Sequence, residues 1–436
     1  MDKNTFAVTP PMGWNSWDCY GASVTEEELL GNANYMAEHM KAYGWEYIVC
    51  DIQWYEPSAN TSVYHKFAPL EMDEFGRLIP AVNRFPSSAG QKGFGPIAKK
   101  IHDLGLKFGI HMMRGVPRQA VHAQLPVKGT TVTARDIAHP FSLCSWNTDM
   151  YGVDTSAVGA QAYYDSLFEL YAEWGVDYVK VDDICTTAFL PHDLYSAKEE
   201  IEMIHRAISR CKREIVLSLS PGPALLTQAG HLSRYANMWR ITGDFWDRWE
   251  DIREMFDICR DWSPYVKEGC WPDCDMLPLG HISIRGNEHG LSDRFTRFTR
   301  EEQTTLMTLW CIFRSPLMMG GELRDNDPWT LELLTNAEVL SLLKDTSGAG
   351  EIYRGSDIIA WTSQDARNNT YLAIFNIGWV EKTAAFSLDK IGLPGPCQVR
   401  DLWNHRNQAP AREMITASIP IHGAVLYKLT PDPEIK

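Results

Sequence analysis

The sequence predicts an α/β protein: a (β/α)8 TIM barrel over residues 1–345, followed by a C-terminal antiparallel β-sandwich over residues 346–436. Three observations point there. A unit of amphipathic helix, glycine and short apolar strand recurs through the first three hundred residues. Polar residues gather just past the C-terminal end of strand after strand. From about residue 350 the texture changes to short alternating runs broken by Asn, Gly and Pro.

The first helix reads over residues 26–43, with Leu29, Ala33, Met36, Ala37 and Met40 on one face and Thr25 and Glu28 spaced as a capping box. Gly44 stops it, and the run from Tyr47 to Asp51 reads as a strand. The unit returns as Ile97–Leu104, Gly105 and Lys107–His111. It returns again as Ala160–Trp174, Gly175 and Asp177–Asp182, then as Lys198–Lys212 and Glu214–Ser218. Helices alternating with nearly all-apolar strands require a parallel sheet covered on both faces, either doubly wound or closed. The polar residues Asp51, His111, Asp182, Ser220 and Asp244 favour closure, because a barrel collects every strand end around one mouth. No glycine-rich dinucleotide fingerprint follows any strand, which removes the main support for a Rossmann sheet.

The second unit begins after the polar stretch Asp345-Thr346-Ser347-Gly348, with runs such as 357–361 and 370–375 as its strands. Two connections inside the barrel are long, residues 52–92 and 114–159, and loops of that length are usually functional. Hydrophobic residues make up 44% and charged residues 22% of the 436, so the chain has the material for a full core. A net charge of -15 argues against nucleic-acid or anionic-membrane partners, which are bound through Lys and Arg. The N-terminal residues carry no apolar leader, so a soluble, cytoplasmic protein is expected. The ten scattered cysteines read as reduced, buried thiols. Cys270 and Cys274 lack the companion pair a metal clip needs.

On a strand alternate side chains share a face, so Val179 and Val181 meet helices while Lys180 and Asp182 point together into the barrel. An ammonium on the same face favours an ionised carboxylate, the state a nucleophile needs. The same pair would also serve as a structural ion pair closing a strand end. A second acid is found in the segment 239–247, where Gly243 allows a sharp turn presenting Asp244, and Arg240 offers a planar fork of donors. Asp247 and Glu250 read as first-turn helix acids. If Asp244 faces Asp182 it should keep its proton near neutral pH, dividing the two into base and acid. Two carboxyls roughly 5 to 5.5 Å apart leave no room for an inverting water.

With Pro10-Pro11-Met12-Gly13-Trp14-Asn15-Ser16-Trp17 at the start, the chain resembles glycoside hydrolase family 27, the α-galactosidase and α-N-acetylgalactosaminidase family. The motifs 75–78, Arg84-Phe85-Pro86, 105–110, Trp271 to Leu277 and Ser315 to Gly320 follow in family order. The resemblance implies a barrel with a β-sandwich, no metal or cofactor, and double displacement on a terminal α-linked sugar of an oligosaccharide or smaller glycoside. It puts the nucleophile at Asp182 and the acid/base at Asp244, stacks Trp17 on the sugar, and gives its hydroxyls to Asp51, Lys180 and Arg240.

Four departures bear on specificity. The usual pair of aspartates after the second strand is Asp51-Ile52, a tyrosine after the third strand is His111, the asparagine after the nucleophile is Asp183, and Ser220 is small where a glutamate would crowd the sugar 2-position. α-Galactose is the first expectation, with N-acetylgalactosamine, another α-glycoside or a β-L-arabinopyranoside as alternatives. His111, Trp54, Trp146 and Tyr151 lie in mouth-side segments and are candidates for the pocket wall, with plain packing the competing role. A sugar-binding protein without chemistry and a barrel enzyme of unrelated chemistry stay open. The sequence leaves a homo-oligomer open.

Overall fold

The computed structural model describes residues 2–187, 192–193, 195–286, 292–393 and 395–435. Its first body is a ring of eight parallel strands in chain order: β1 Met12–Asn15, β2 Tyr47–Cys50, β3 Lys107–Met113, β4 Tyr178–Asp182, β5 Val216–Ser220, β6 Met238–Arg240, β7 Trp271–Asp273 and β8 Leu317–Met319. Each of β1 to β6 pairs with the next, and β8 returns to β1 in the register Met12 to Leu317. Between β7 and β8 the ring is completed by a bridge just beyond β7, where Leu277 N–H donates to Met318 O (2.8 Å) and Gly320 N–H to Leu277 O (3.0 Å).

A helix follows every strand: α1 Glu26–His39, α2 Gly95–Asp103, α3 Ala160–Trp174, α4 Lys198–Arg210, α5 Ala229–Tyr235, α6 Trp249–Trp262, α7 Arg300–Phe313 and α8 Pro328–Thr335. The capping box of α1 is formed, with Thr25 and Glu28 satisfying each other's backbone donors. The helix ends at His39, short of the expected residue 43, because residues 41–43 tighten into a 3-10 turn before Gly44 at φ +102°.

Strand parity decides what faces where. Tyr47, Val49, Tyr178, Val216, Met238, Trp271 and Met318 form one apolar cluster that fills the lower barrel. Their intervening neighbours Ile48, Cys50, Val179, Val181, Leu217, Leu219 and Trp239 join the large core beneath the helices. The inward set continues upward into Asp51, Lys180, Asp182, Ser220 and Arg240, so the apolar plug and the polar mouth lie on the same faces of the same strands.

The second body carries β9 Thr346–Arg354, β10 Ile358–Asp365, β11 Thr370–Asn376, β12 Lys382–Ser387, β13 Cys397–Asp401, β14 Arg406–Asn407, β15 Met414–Ile419 and β16 Ala424–Pro431. Six form an antiparallel sheet in the order β9-β10-β11-β16-β13-β14, and β12 pairs with β15. One face of the sheet, with Leu372, Ile374, Tyr427 and Leu429, packs on Phe386, Ile415 and Ile419 of the antiparallel β12–β15 pair. The other, with Trp361 and Phe375, meets Phe313 and Phe256 of the barrel helices at ring separations of 6.4 and 4.9 Å. No helix among the described residues is long and apolar enough to cross a membrane.

The Arg84-Phe85-Pro86 motif has a mechanical purpose. The buried Arg84 guanidinium donates to the carbonyls of Gln53 (2.7 Å), Glu56 (3.0 Å), Ala22 (2.6 Å) and Val24 (2.8 Å), tying the segment after β1 to the one after β2. A lysine cannot reproduce this four-way fork. Arg84→Lys is expected to lower stability by about 2 to 4 kcal/mol, read as a drop in the thermal unfolding midpoint. An unchanged midpoint would show that the fork is dispensable.

Candidate active site

The C-terminal ends of the strands enclose a cavity of about 720 Å³. Its wall holds Trp17 and Asp18 after β1, Asp51 after β2, Lys180, Asp182 and Asp183 from β4, Ser220 from β5, Arg240, Gly243, Asp244 and Trp246 from β6 onward, and Asp275 after β7. The long connections contribute Tyr64 and Trp146, with Tyr64 set between Trp17 (ring centroids 5.8 Å, 20° apart) and Trp146 (5.4 Å). Seven of the eight residues expected from the sequence therefore share one wall, and His111 does not.

Lys180 and Asp182 point inward together, as parity requires, but the ammonium is committed elsewhere. Lys180 Nζ lies 3.0 Å from Asp51 Oδ2, which also accepts from Asn15 Nδ2 (2.7 Å), while Asp51 Oδ1 accepts from Ile52 N–H (2.8 Å). Burial raises the Asp51 pKa, but Lys180 and His111 outweigh it, and the acid is held far below the usual carboxylate range. Asp182 has His111 as a side-chain hydrogen-bond partner, with Nε2 3.2 Å from Oδ2, and Oδ1 accepts from Asp183 N–H at 2.7 Å. Burial again works upward, and the hydrogen bond from His111, its charge, then Lys180 and Arg240 bring Asp182 below the ordinary value. The expected ionised state stands, with His111 ahead of Lys180 as its cause. His111 is fully buried behind Asp182, which corrects its expected place on the sugar-facing wall.

Asp244 is 65% exposed at the rim and ion-paired with Arg240, Nη1 to Oδ1 2.6 Å. Its ion-pair partner is thus a guanidinium. Arg240 also donates from Nε to Pro221 O (2.8 Å) and lies 3.5 Å from Asp275. The turn that presents Asp244 is secured by Asp275, whose Oδ2 accepts from Phe245 N–H at 2.9 Å. Gly243 is not what makes that turn possible: its φ lies outside the left-handed region, and a Cβ there would meet nothing within 4 Å. Asp247 is not a first-turn acid either, because α6 begins at Trp249. It is buried beneath Arg294 (2.8 Å) and Arg297 (3.3 Å), pinning the β7–α7 segment. Glu250 does lie in the first turn of α6.

Ser220 is buried at the wall, and its Oγ has no hydrogen-bond partner among the described residues. Trp54 is fully buried and donates to His111 O (2.8 Å), and Tyr151 packs on Arg118 and His122, so of the three aromatic candidates only Trp146 reaches the cavity. The sequence reading missed Asp18, Asp273 and Asp275, although each sits in or beside a quoted motif. Burial and the Asp275 charge push Asp273 up to about 7, and burial also raises Asp275. Cys270 and Cys274 diverge, the first toward Lys3 and the second toward Cys259, with sulfurs 3.5 Å apart.

Asp183, beside Asp182 at φ +50°, shares the Arg114 guanidinium (3.0 Å) with Glu200 (3.0 Å). One cation cannot neutralise two buried acids, and burial, with Asp182 and Glu200 behind it, pushes Asp183 up to about 6 against the pull of Arg114. In the unfolded chain the same group titrates near ~3.9. The native state therefore keeps a proton that the unfolded state has lost, and stability falls as pH rises from about 4 to about 6. Asp183→Asn should flatten that slope in denaturation midpoints taken across the window. A slope as steep as in the parent would assign it to other groups.

Comparison with known proteins agrees with this geometry. Residues 147–345 match the family model described as alpha galactosidase A, and residues 355–429 match the alpha galactosidase C-terminal beta sandwich domain. The structure superimposes on a β-L-arabinopyranosidase of glycoside hydrolase family 27 from Geobacillus stearothermophilus with a TM-score of 0.97, at 57% identity over 100% of this chain and 99% of that one. A putative α-N-acetylgalactosaminidase from Bacillus halodurans gives a TM-score of 0.88 at 54% identity, covering 98% of both chains. Alpha-galactosidase 2 of Arabidopsis thaliana is 26% identical over 98% of this chain and 91% of its own. A ring of inward acids on eight parallel strands, a sandwich behind it and relatives that match from end to end together establish that the chain belongs to glycoside hydrolase family 27 and is a glycosidase.

Proposed function

We propose that this glycosidase is exo-acting and retaining, that Asp182 is its nucleophile and Asp244 its acid/base, and that its preferred glycone is a terminal β-L-arabinopyranosyl unit. α-Galactosyl units, the first expectation from the sequence, share the ring stereochemistry and belong to the same site. β-L-Arabinopyranose is α-D-galactopyranose without the hydroxymethyl group. The observation that carries the choice is Ile52: where the family usually sets a second aspartate, this side chain is 1% exposed and packed in the apolar core. The pair of acids that the family usually offers to sugar hydroxyls is reduced here to Asp51 alone. The 57% identity to the arabinopyranosidase supports the same reading.

In the first step an oxygen of Asp182 attacks the anomeric carbon while Asp244, in its acid form, gives its proton to the departing glycosidic oxygen. The aglycone leaves as an alcohol and the sugar stays as an ester of Asp182. A water then attacks the same carbon, Asp244 takes its proton, and the carboxylate is regenerated with configuration retained. Asp244 suits both exchanges because it is exposed at the rim, and Asp182 suits attack because His111 holds it ionised and oriented. Arg240, between the two acids, is placed to restrain Asp244 and to meet sugar hydroxyls. The ten free thiols fit a reducing, cytoplasmic setting.

A panel of nitrophenyl glycosides tests the glycone. The β-L-arabinopyranoside should exceed the α-galactoside by about tenfold or more in kcat/KM, since roughly 1.4 kcal/mol of lost hydroxyl recognition corresponds to that factor. A galactoside preference would overturn the arabinose assignment, and turnover confined to the N-acetylgalactosaminide would overturn both sugars. Asp182→Ala should abolish turnover with the fold intact, and azide should restore it with an inverted glycosyl azide as product. Asp244→Asn should cost natural glycosides on the order of 10²- to 10⁴-fold and activated aryl glycosides much less. Equal losses on both would remove Asp244 from the role of acid.

A further inference from the structure

Six aspartates and two cations line the cavity. Lys180 is paired with Asp51 (3.0 Å), and Arg240 with Asp244 (2.6 Å) and Asp275 (3.5 Å). Asp183 has Arg114 and Asp182 has His111. Asp18 is left over. It stands in the short helix Trp17–Tyr20 just past β1, is 4% exposed, and its Oδ2 is buried without a hydrogen-bond partner among the described residues. Room for it is made by Gly320 after β8, where a Cβ would lie 2.0 Å from that oxygen.

We propose that Asp18 is a specificity residue of this site, hydrogen-bonding a ring hydroxyl of the glycone and so helping to select the sugar. The inference rests on the glycosidase reading of the cavity and on no particular choice of glycone. A group that a protein buries at a cavity wall and leaves unpaired is costly unless a ligand completes it. The groups facing Asp18 are Asp275, Asp51 and Asp244 on the acidic side and Lys180 on the basic side. Burial first, then the three acids, push its pKa well up, with Lys180 opposing. In that state the side chain offers one O–H donor and one carbonyl acceptor, matching a sugar hydroxyl, which also gives and takes one hydrogen bond. A neutral acid also adds no further negative charge beside the nucleophile.

Asp18→Asn, Asp18→Ala and Asp18→Leu separate hydrogen bonding from packing, using whichever glycoside the parent enzyme hydrolyses fastest. Ala and Leu should each lower kcat/KM about 10- to 100-fold, mainly through KM, with thermal midpoints near the parent's. Asn, which keeps a donor and an acceptor without charge, should recover all but about threefold of that loss. It should also abolish a fall in kcat/KM on the alkaline side of the parent's pH profile. Of the 2-, 3- and 4-deoxy glycosides, one should be hydrolysed equally well by the parent and by Asp18→Ala. Asp18→Leu at parental activity would overturn the proposal in favour of packing, and a folded Asp18→Asn as poor as Ala would overturn the neutral-acid role. An enzyme inert on every glycoside would instead count against the glycosidase reading itself.

Discussion

A shortage of positive charge governs the mouth of this barrel. Among the described residues six aspartates reach the cavity and only Lys180 and Arg240 reach it with them, so each cation is a divider of labour. Lys180 fixes Asp51 as a permanent anion, and Arg240 sits between the rim and the floor, bonded to Asp244 and near Asp275. Asp51 and Asp182, beside Lys180 and His111, are held below the ordinary carboxylate range, whereas burial and neighbouring acids push Asp18, Asp183 and Asp275 upward even where a guanidinium lies close. One chemical group, repeated around a ring, thereby acquires several protonation states and several uses.

The fold was legible in the sequence because it is written in short-range terms. Helix, glycine and strand alternate within about thirty residues, and parity along residues 178–182 places Lys180 and Asp182 without reference to anything distant. What was not legible depends on contacts across the ring. That His111 would slip behind Asp182 follows from the register between β3 and β4, which places it opposite Lys180. That Asp247 would be pinned by Arg294 and Arg297 depends on a segment some fifty residues away. Gly243 invited a local explanation, yet the turn is held from β7 by Asp275. The acids overlooked, Asp18, Asp273 and Asp275, were visible as letters, but nothing local distinguishes a buried aspartate from a solvated one.

The sandwich is more than an appendage. Its sheet shares one face with the β12–β15 pair and gives the other to the barrel, where Phe256 and Phe313 belong to α6 and α7. Helix α6 begins just beyond Asp244, and α7 follows the segment that holds Asp247. Packing against the sandwich therefore stiffens the two helices behind the acid-bearing side of the mouth.

The way the ring is completed sets where it can give. Seven neighbouring strand pairs run in register over two residues or more, whereas β7 and β8 meet through Leu277 and Met319 beyond the end of β7. Gly320 and Asp275 flank that bridge, so the thinnest part of the wall adjoins the acidic cavity. Thermal breathing of the barrel should concentrate along this line, making the hinge and the edge of the cavity one and the same piece of backbone.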